Sequence, residues 1–207
     1  MCLDWLHEDN DQQTIDCLSA EVKDLLKCQP EICNHLMSLV TVYMKEEGLQ
    51  LPTNLQIWKN LAIPAGEGDR FGDWPMYTRA CRNFHGRCWF GFIEMQMEAP
   101  GMDPITWVGQ VRLFLSCEVH DKAGKRIKKE LAFVKVMRQV QRDNSWELLK
   151  CEQFTFVDES VGRFRRKHGI ILREPYIILD IANITRVIHV VPNFMQDGVF
   201  FLNRFKL

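Results

Sequence analysis

From Cys88 to Asn203 the sequence is a succession of short β-favouring segments separated by turn signals, with no helical interval between them. Cys88 to Met97 is rich in aromatic and β-favouring residues, and Val108 to Val119 alternates in part and carries Phe114 and Leu115. Leu131 to Val140 reads as a third strand and Trp146 to Phe156 as a fourth. Tyr176 to Asp180, Ile188 to Val191 and Val199 to Asn203 add short ones. Asp121-Lys122-Ala123-Gly124-Lys125 separates the second and third strands as a hairpin turn does, and Asp143-Asn144-Ser145 separates the third and fourth. This spacing predicts a small antiparallel β-barrel, closed or half-closed.

The N-terminal part has a different period. Ile15, Leu18, Val22, Leu25 and Leu26 recur at helical spacing behind a capping Thr14. Pro30 disfavours helix at Gln29 and suits the first turn of a second helix, whose apolar stripe is Ile32, Leu36, Leu39, Val40 and Tyr43. Gly48 supplies a left-handed stop. The expected architecture is α+β: an N-terminal helical hairpin with little core of its own, then the barrel. The turn-rich stretch from Pro64 to Asp69 marks the boundary, giving an acidic helical segment over 1–65 and a basic β-barrel domain over 76–207. Residues 76–207 are expected to fold without residues 1–50.

The net charge of -1 conceals this division. Residues 1–75 carry 13 acidic and 5 basic side chains, and residues 76–207 carry 14 and 21. That split suggests two functional surfaces, or an acidic segment docked on a basic one. No apolar run approaches the roughly 20 residues of a membrane span. The opening Met-Cys-Leu-Asp-Trp lacks the basic-then-apolar order of a secretory signal, so a nuclear or cytoplasmic location is expected, with no membrane partner. The 8 cysteines form no CxxC pair and read as reduced thiols.

Few motifs carry chemistry. GxGxxG, GxxxxGK[ST], GxSxG and HExxH do not occur, so no nucleotide cofactor is expected. Cys81, His85 and Cys88 are irregularly spaced for zinc, and Cys117 and His120 would face opposite sides of a strand, so no metal site is expected. Asp158, Glu159 and Asp180 are acids that a metal-dependent nuclease would need. Two basic runs are candidates for phosphate contact: Lys125, Arg126, Lys128 and Lys129 beside the predicted turn, and Arg163, Arg165, Arg166 and Lys167 around Phe164. His189 reads as a packed, hydrogen-bonded residue at the core edge. Arg186 and Arg204 are placed to pair Asp180 or Asp197.

A set of motifs in order gives a resemblance. Ile57-Trp58 comes first, and Arg82-Asn83-Phe84-His85-Gly86-Arg87 precedes the first barrel strand. Gly109-Gln110-Val111-Arg112-Leu113-Phe114-Leu115 and Leu131-Ala132-Phe133-Val134 follow. Ile184-Thr185-Arg186-Val187-Ile188-His189-Val190-Val191-Pro192-Asn193-Phe194 is the most specific, ahead of Phe200-Phe201-Leu202-Asn203-Arg204-Phe205. From Trp58 to Leu207 this order resembles the C-terminal, non-catalytic tail of transposon-encoded proteins of fungal genomes, the Plavaka and Kyakuja-Dileera-Zisupton groups. Their catalytic core, an acidic triad on an RNase H-like fold, has no room in 207 residues. The tail is also similar to the bromo-adjacent homology domain, a β-barrel that reads chromatin partners. The resemblance implies a non-catalytic interaction module of transposon origin, not an enzyme, contacting DNA or chromatin. A metal-dependent nuclease and a protein-only interaction module are the alternatives.

Overall fold

A computed structural model of the chain describes residues 30–63, 76–84, 87–97, 103–140, 153–156 and 175–203. The expected helix from Thr14 to Cys28 lies outside these residues, so the helical hairpin is reduced to one described α-helix, α1 (Pro30–Glu46). Eleven strands follow it: β1 (Leu55–Trp58), β2 (Asn60–Ile63), β3 (Met76–Phe84), β4 (Arg87–Phe90), β5 (Phe92–Met97), β6 (Ile105–His120), β7 (Arg126–Gln139), β8 (Gln153–Phe156), β9 (Tyr176–Asp180), β10 (Ile184–Pro192) and β11 (Val199–Asn203). A 3-10 turn, Ile181–Asn183, joins β9 to β10.

The centre is a long antiparallel hairpin, β6–β7, paired from Val108↔Met137 to His120↔Arg126. Its turn is the predicted one. Asp121 Oδ1 accepts from the Ala123 and Lys125 amides at 2.9 and 2.8 Å, and Gly124 takes φ +80. The outer edge of β6 is shared, β5 pairing with its first half and β1 with its second. The outer edge of β7 is shared in the same way by β9 and β8. β8 pairs β11, β11 pairs β10, and β10 returns to β5, so β6-β5-β10-β11-β8-β7 closes into a ring of six antiparallel strands. A separate three-stranded sheet, β2-β3-β4, lies against it.

A β-bulge makes the ring possible. Register shifts between Val111 and Leu113, leaving Arg112 as the extra residue. Before the bulge, Val108 faces Met137; after it, Leu113 faces Phe133 and Leu115 faces Leu131. The bulge re-phases β6, so these residues share one face, and the incomplete alternation of the sequence is explained. One end of that face lies inside the ring. Val108, Met137, Phe154 and Leu202, with Phe92, Phe156, Ile188, Val190 and Phe200, form a cluster drawn from all six ring strands. The other end lies under α1, where Leu36, Met37, Val40 and Met44 join Leu55, Leu113, Leu115, Leu131, Phe133 and Tyr176 in one core. The opposite face of the ribbon carries Val111, Phe114, Ala132, Val134 and Val136, packed with Ile63 of β2 and Ala80 of β3.

The apolar stripe of α1 is one wall of the strand core. The division at residues 65 and 76 runs through shared packing, since β1 pairs β6 and Ile63 packs with Val134 and Ile93. The helix ends as expected: Gly48 has φ +69, and Gly48 and Leu49 donate to the Lys45 and Met44 carbonyls at 3.2 and 2.8 Å, a Schellman motif. Gly91, between β4 and β5, lets the small sheet meet the ring. Its amide donates to Arg79 O at 2.6 Å, its carbonyl accepts from Val111 N at 2.9 Å, and a Cβ there would overlap Thr78 Oγ1.

Candidate interaction surfaces

The basic run beside the turn is divided by the pleat of β7. Alternate residues of a strand point to opposite faces, so Lys129 faces α1 while Arg126 and Lys128 face away. Lys129, 17% exposed, donates to Tyr43 Oη at 3.2 Å, Glu47 Oε2 at 3.1 Å and Asp180 Oδ2 at 3.5 Å. Burial alone would lower its pKa, but the hydrogen bonds it donates to Tyr43 and Glu47 overcome that and raise it well above the ordinary lysine value. Burial also raises the Tyr43 phenol, against the pull of Lys129, and pushes the Cys117 thiol up to about 11. Lys129 is thus a clamp between helix and sheet, and Glu47 on Lys129 is a literal acidic-on-basic contact. Arg126 pairs with Glu118, and Lys128 pairs with Glu130 at 2.5 Å. Lys125 stands exposed at the turn, its amide bonded to Asp121. Arg126 and Lys128 keep side chains 67% and 62% exposed within their surface pairs. Arg163, Arg165, Arg166 and Lys167 lie outside the described residues, as do Asp158 and Glu159.

Other expectations change as well. Asp180 caps the 3-10 turn, accepting from Ala182 N at 3.0 Å, and also meets Lys129. Both of its oxygens have structural duties. His189 is exposed on β10 rather than packed, because its strand neighbours Ile188 and Val190 take the inward positions. Arg186 pairs neither Asp180 nor Asp197. It holds Glu94 across the β5–β10 seam with Nε at 2.5 Å and Nη2 at 2.8 Å. The Glu94 side chain is 8% exposed. Among the described residues no three His, Cys, Asp or Glu side chains gather as metal ligands. Cys117 is buried and His120 exposed, on opposite faces as expected. His85 lies outside the described residues. No described helix is long and apolar enough to cross a membrane.

Two features had gone unread. At the bulge, the Arg112 guanidinium lies 4.8 Å from the Phe90 ring and 6.0 Å from Phe156, and Lys135 Nζ lies 5.2 Å from Phe156 and 5.3 Å from Tyr176. These cations are stacked on aromatic rings, which neutralises the apolar cost of holding them there.

The second is a groove of about 610 Å3. Leu61, Ala62 and Ile63 of β2 line it on one side, and Asp180 to Ala182 with Ile184 line it on the other, with Lys128 and Glu130 of β7 between. Three consecutive β2 residues line it, so the strand presents its edge. Ala80 N donates to Lys59 O at 2.8 Å, which makes 59/80 a hydrogen-bonded pair. In antiparallel register the next such pairs are 61/78 and 63/76. The backbone groups of Asn60 and Ala62 therefore point away from β3, and among the described residues no strand covers that edge. The sequence signal was present: Leu55/Ile57 and Leu61/Ile63 repeat with period two between Pro52 and Pro64. No family model, no curated protein and no solved structure matches the chain.

Proposed function

We propose that the chain is a non-catalytic interaction module that takes an extended segment of another protein along the open edge of β2. The carrying observation is the coincidence of that edge with the groove. An added strand gains main-chain hydrogen bonds from Asn60 and Ala62, and alternate side chains gain apolar contact with Leu61, Ile63, Ile181 and Ile184. The groove's charges already have partners, Lys128 with Glu130 and Asp180 with Lys129 beneath the helix, which suits backbone recognition better than acid–base chemistry. The transposon origin rests on the resemblance of the 184–194 motif and the order of strands around it.

The test is selection of a random peptide library on the immobilised full chain. Enriched peptides are expected to be β-favouring and to lose at least about tenfold in affinity to Ala62→Pro, which removes one edge amide and leaves the β3 pairing intact. Enrichment that ignores Ala62→Pro, or none at all, would sink this reading.

A second reading, weak DNA contact, is favoured by the excess of 21 basic over 14 acidic residues in 76–207. It rests on the exposed Lys125, Arg126 and Lys128 beside the β6–β7 turn and, foremost, on the four residues Arg163, Arg165, Arg166 and Lys167. In a low-salt gel shift, replacing these four by Ala should weaken binding alike for all sequences and flatten the salt slope by a few units. No shift for the unmodified chain at micromolar concentration would remove it.

A further inference from the structure

Phe194 and Met195 are 90% and 96% exposed, well beyond any other large apolar side chain among the described residues. They stand on the crown of the β10–β11 hairpin, where polar turn residues are the rule. The crown is well bonded. Asn193 Oδ1 accepts from Met195 N at 3.0 Å. Asn193 N donates to Val199 O at 2.8 Å, and Gln196 N donates to Asn193 O at 3.1 Å. Gly198 takes φ +72, and its carbonyl accepts from Thr155 Oγ1 of β8 at 3.1 Å. A bonded turn thus holds an aromatic and a thioether side chain in water, where both would be stabilised by burial.

The groove lies at the other end of the same strand. Ile184, the first residue of β10, lines it, whereas the crown follows Pro192, the last. The strand between them spans roughly 26 Å at about 3.3 Å per residue. The crown therefore lies out of reach of its own groove.

We propose that the crown of one copy seats Phe194 and Met195 in the groove of a second copy, joining chains head to tail. It uses the apolar walls of the same groove and not the β2 edge, since the crown is a turn and not an extended strand. The volume, about 610 Å3, is in the range of clefts that bury small-molecule-sized groups. Leu61, Ile63, Ile181 and Ile184 supply apolar walls. The groove's ionised groups already have partners, Lys128 with Glu130 inside it and Asp180 with Lys129 outside it, and Asp197 is the single ionisable residue of the crown, so the contact needs no new ion pair. A knob meeting a different surface of the next copy makes a heterologous contact, which extends rather than closing as a two-fold dimer does.

Sedimentation velocity on the full chain tests this. The weight-average mass of the unmodified chain should at least double from low to high micromolar concentration and be insensitive to moderate salt. Phe194→Ser with Met195→Ser removes the knob. Ala182→Arg, at an exposed groove position, fills the seat. Each variant alone should stay monomeric with an unchanged circular dichroism spectrum. Mixed one to one, they should give a species of twice the mass that grows no further, because each supplies the surface the other lacks. A monomeric unmodified chain overturns the self-docking proposal while leaving the peptide-edge reading to its own selection test. Assembly that survives Ala182→Arg overturns the groove as the seat.

Discussion

One face of the β6–β7 ribbon is sealed in two ways. At the end near the turn, α1 lies across it and Lys129 fastens the helix to the strands through Tyr43, Glu47 and Asp180. At the far end the strands curl round until β5 meets β10, and Glu94–Arg186 fastens that seam. The first seal is a lid made of sequence distant from the strands it covers. The second is the sheet's own closure. Both use a charged group held at the margin of an apolar cluster, where a charge stays stable only if paired. The helix is thus structural equipment of the strands, as necessary to its half as closure is to the other.

Removing residues 1–50 should break this symmetry most severely. It exposes Phe133, Leu131 and Leu115, all at most 1% exposed, and should abolish the cooperative urea transition. Retention of a sharp transition in residues 51–207 would mean the lid is dispensable. Next in size, Phe133→Ala should cost about 3–5 kcal/mol, since Phe133 is fully buried and stacks on Tyr176 at 5.1 Å, and Leu202→Ala in the ring about 2–4 kcal/mol. Both should shift one transition seen alike by fluorescence and circular dichroism, because the halves share β6 and β7. Two separate transitions would show that they fold apart.

Lys129→Met keeps the buried stem and loses the clamp, for an expected loss of about 1–2 kcal/mol. Its signature is in pH. Lys129, Tyr43 and Cys117 all have raised folded pKa values, so their contributions are complete below the unfolded values and fall as pH rises. For Cys117 the window runs from 9.0 to about 11. The urea midpoint should drop through that window, and the further drop that sets in above 10.5, where unfolded Lys129 loses its proton, should be missing in Lys129→Met. Equal slopes would deny Lys129 its part. The smallest effect, about 0.5–1 kcal/mol, is expected for Gly124→Ala, where φ is +80 but nothing crowds the added methyl group.

Much of this was legible, and the failures share a cause. Tyr176–Asp180 and Val199–Asn203 were found at their true limits because turn residues bound them. The stop at Gly48 was found because left-handed backbone has a strong residue preference. The ring was expected, but which strands close it was not, since β5 and β10 are joined by contacts 92 residues apart in sequence. The basic run Lys125 to Lys129 is divided because proximity in sequence is not proximity on a face: the pleat sends Lys129 under the helix and Lys128 to the groove. Arg186 found Glu94 rather than Asp180 for the same reason, since cross-strand neighbours cannot be read before register is known. The groove escaped because four-residue strands such as β2 give too little periodicity to stand out.

The seam between β5 and β10 also fixes an order of events in time. The β6–β7 hairpin needs only a five-residue turn to begin, whereas the seam must wait until chain some 92 residues away has been made and brought back. During that interval β5 and β10 are bare edges, the kind of surface that recruits neighbouring chains. A slow final step, sensitive to protein concentration during refolding, is the kinetic mark that a closed ring leaves on a chain of this topology.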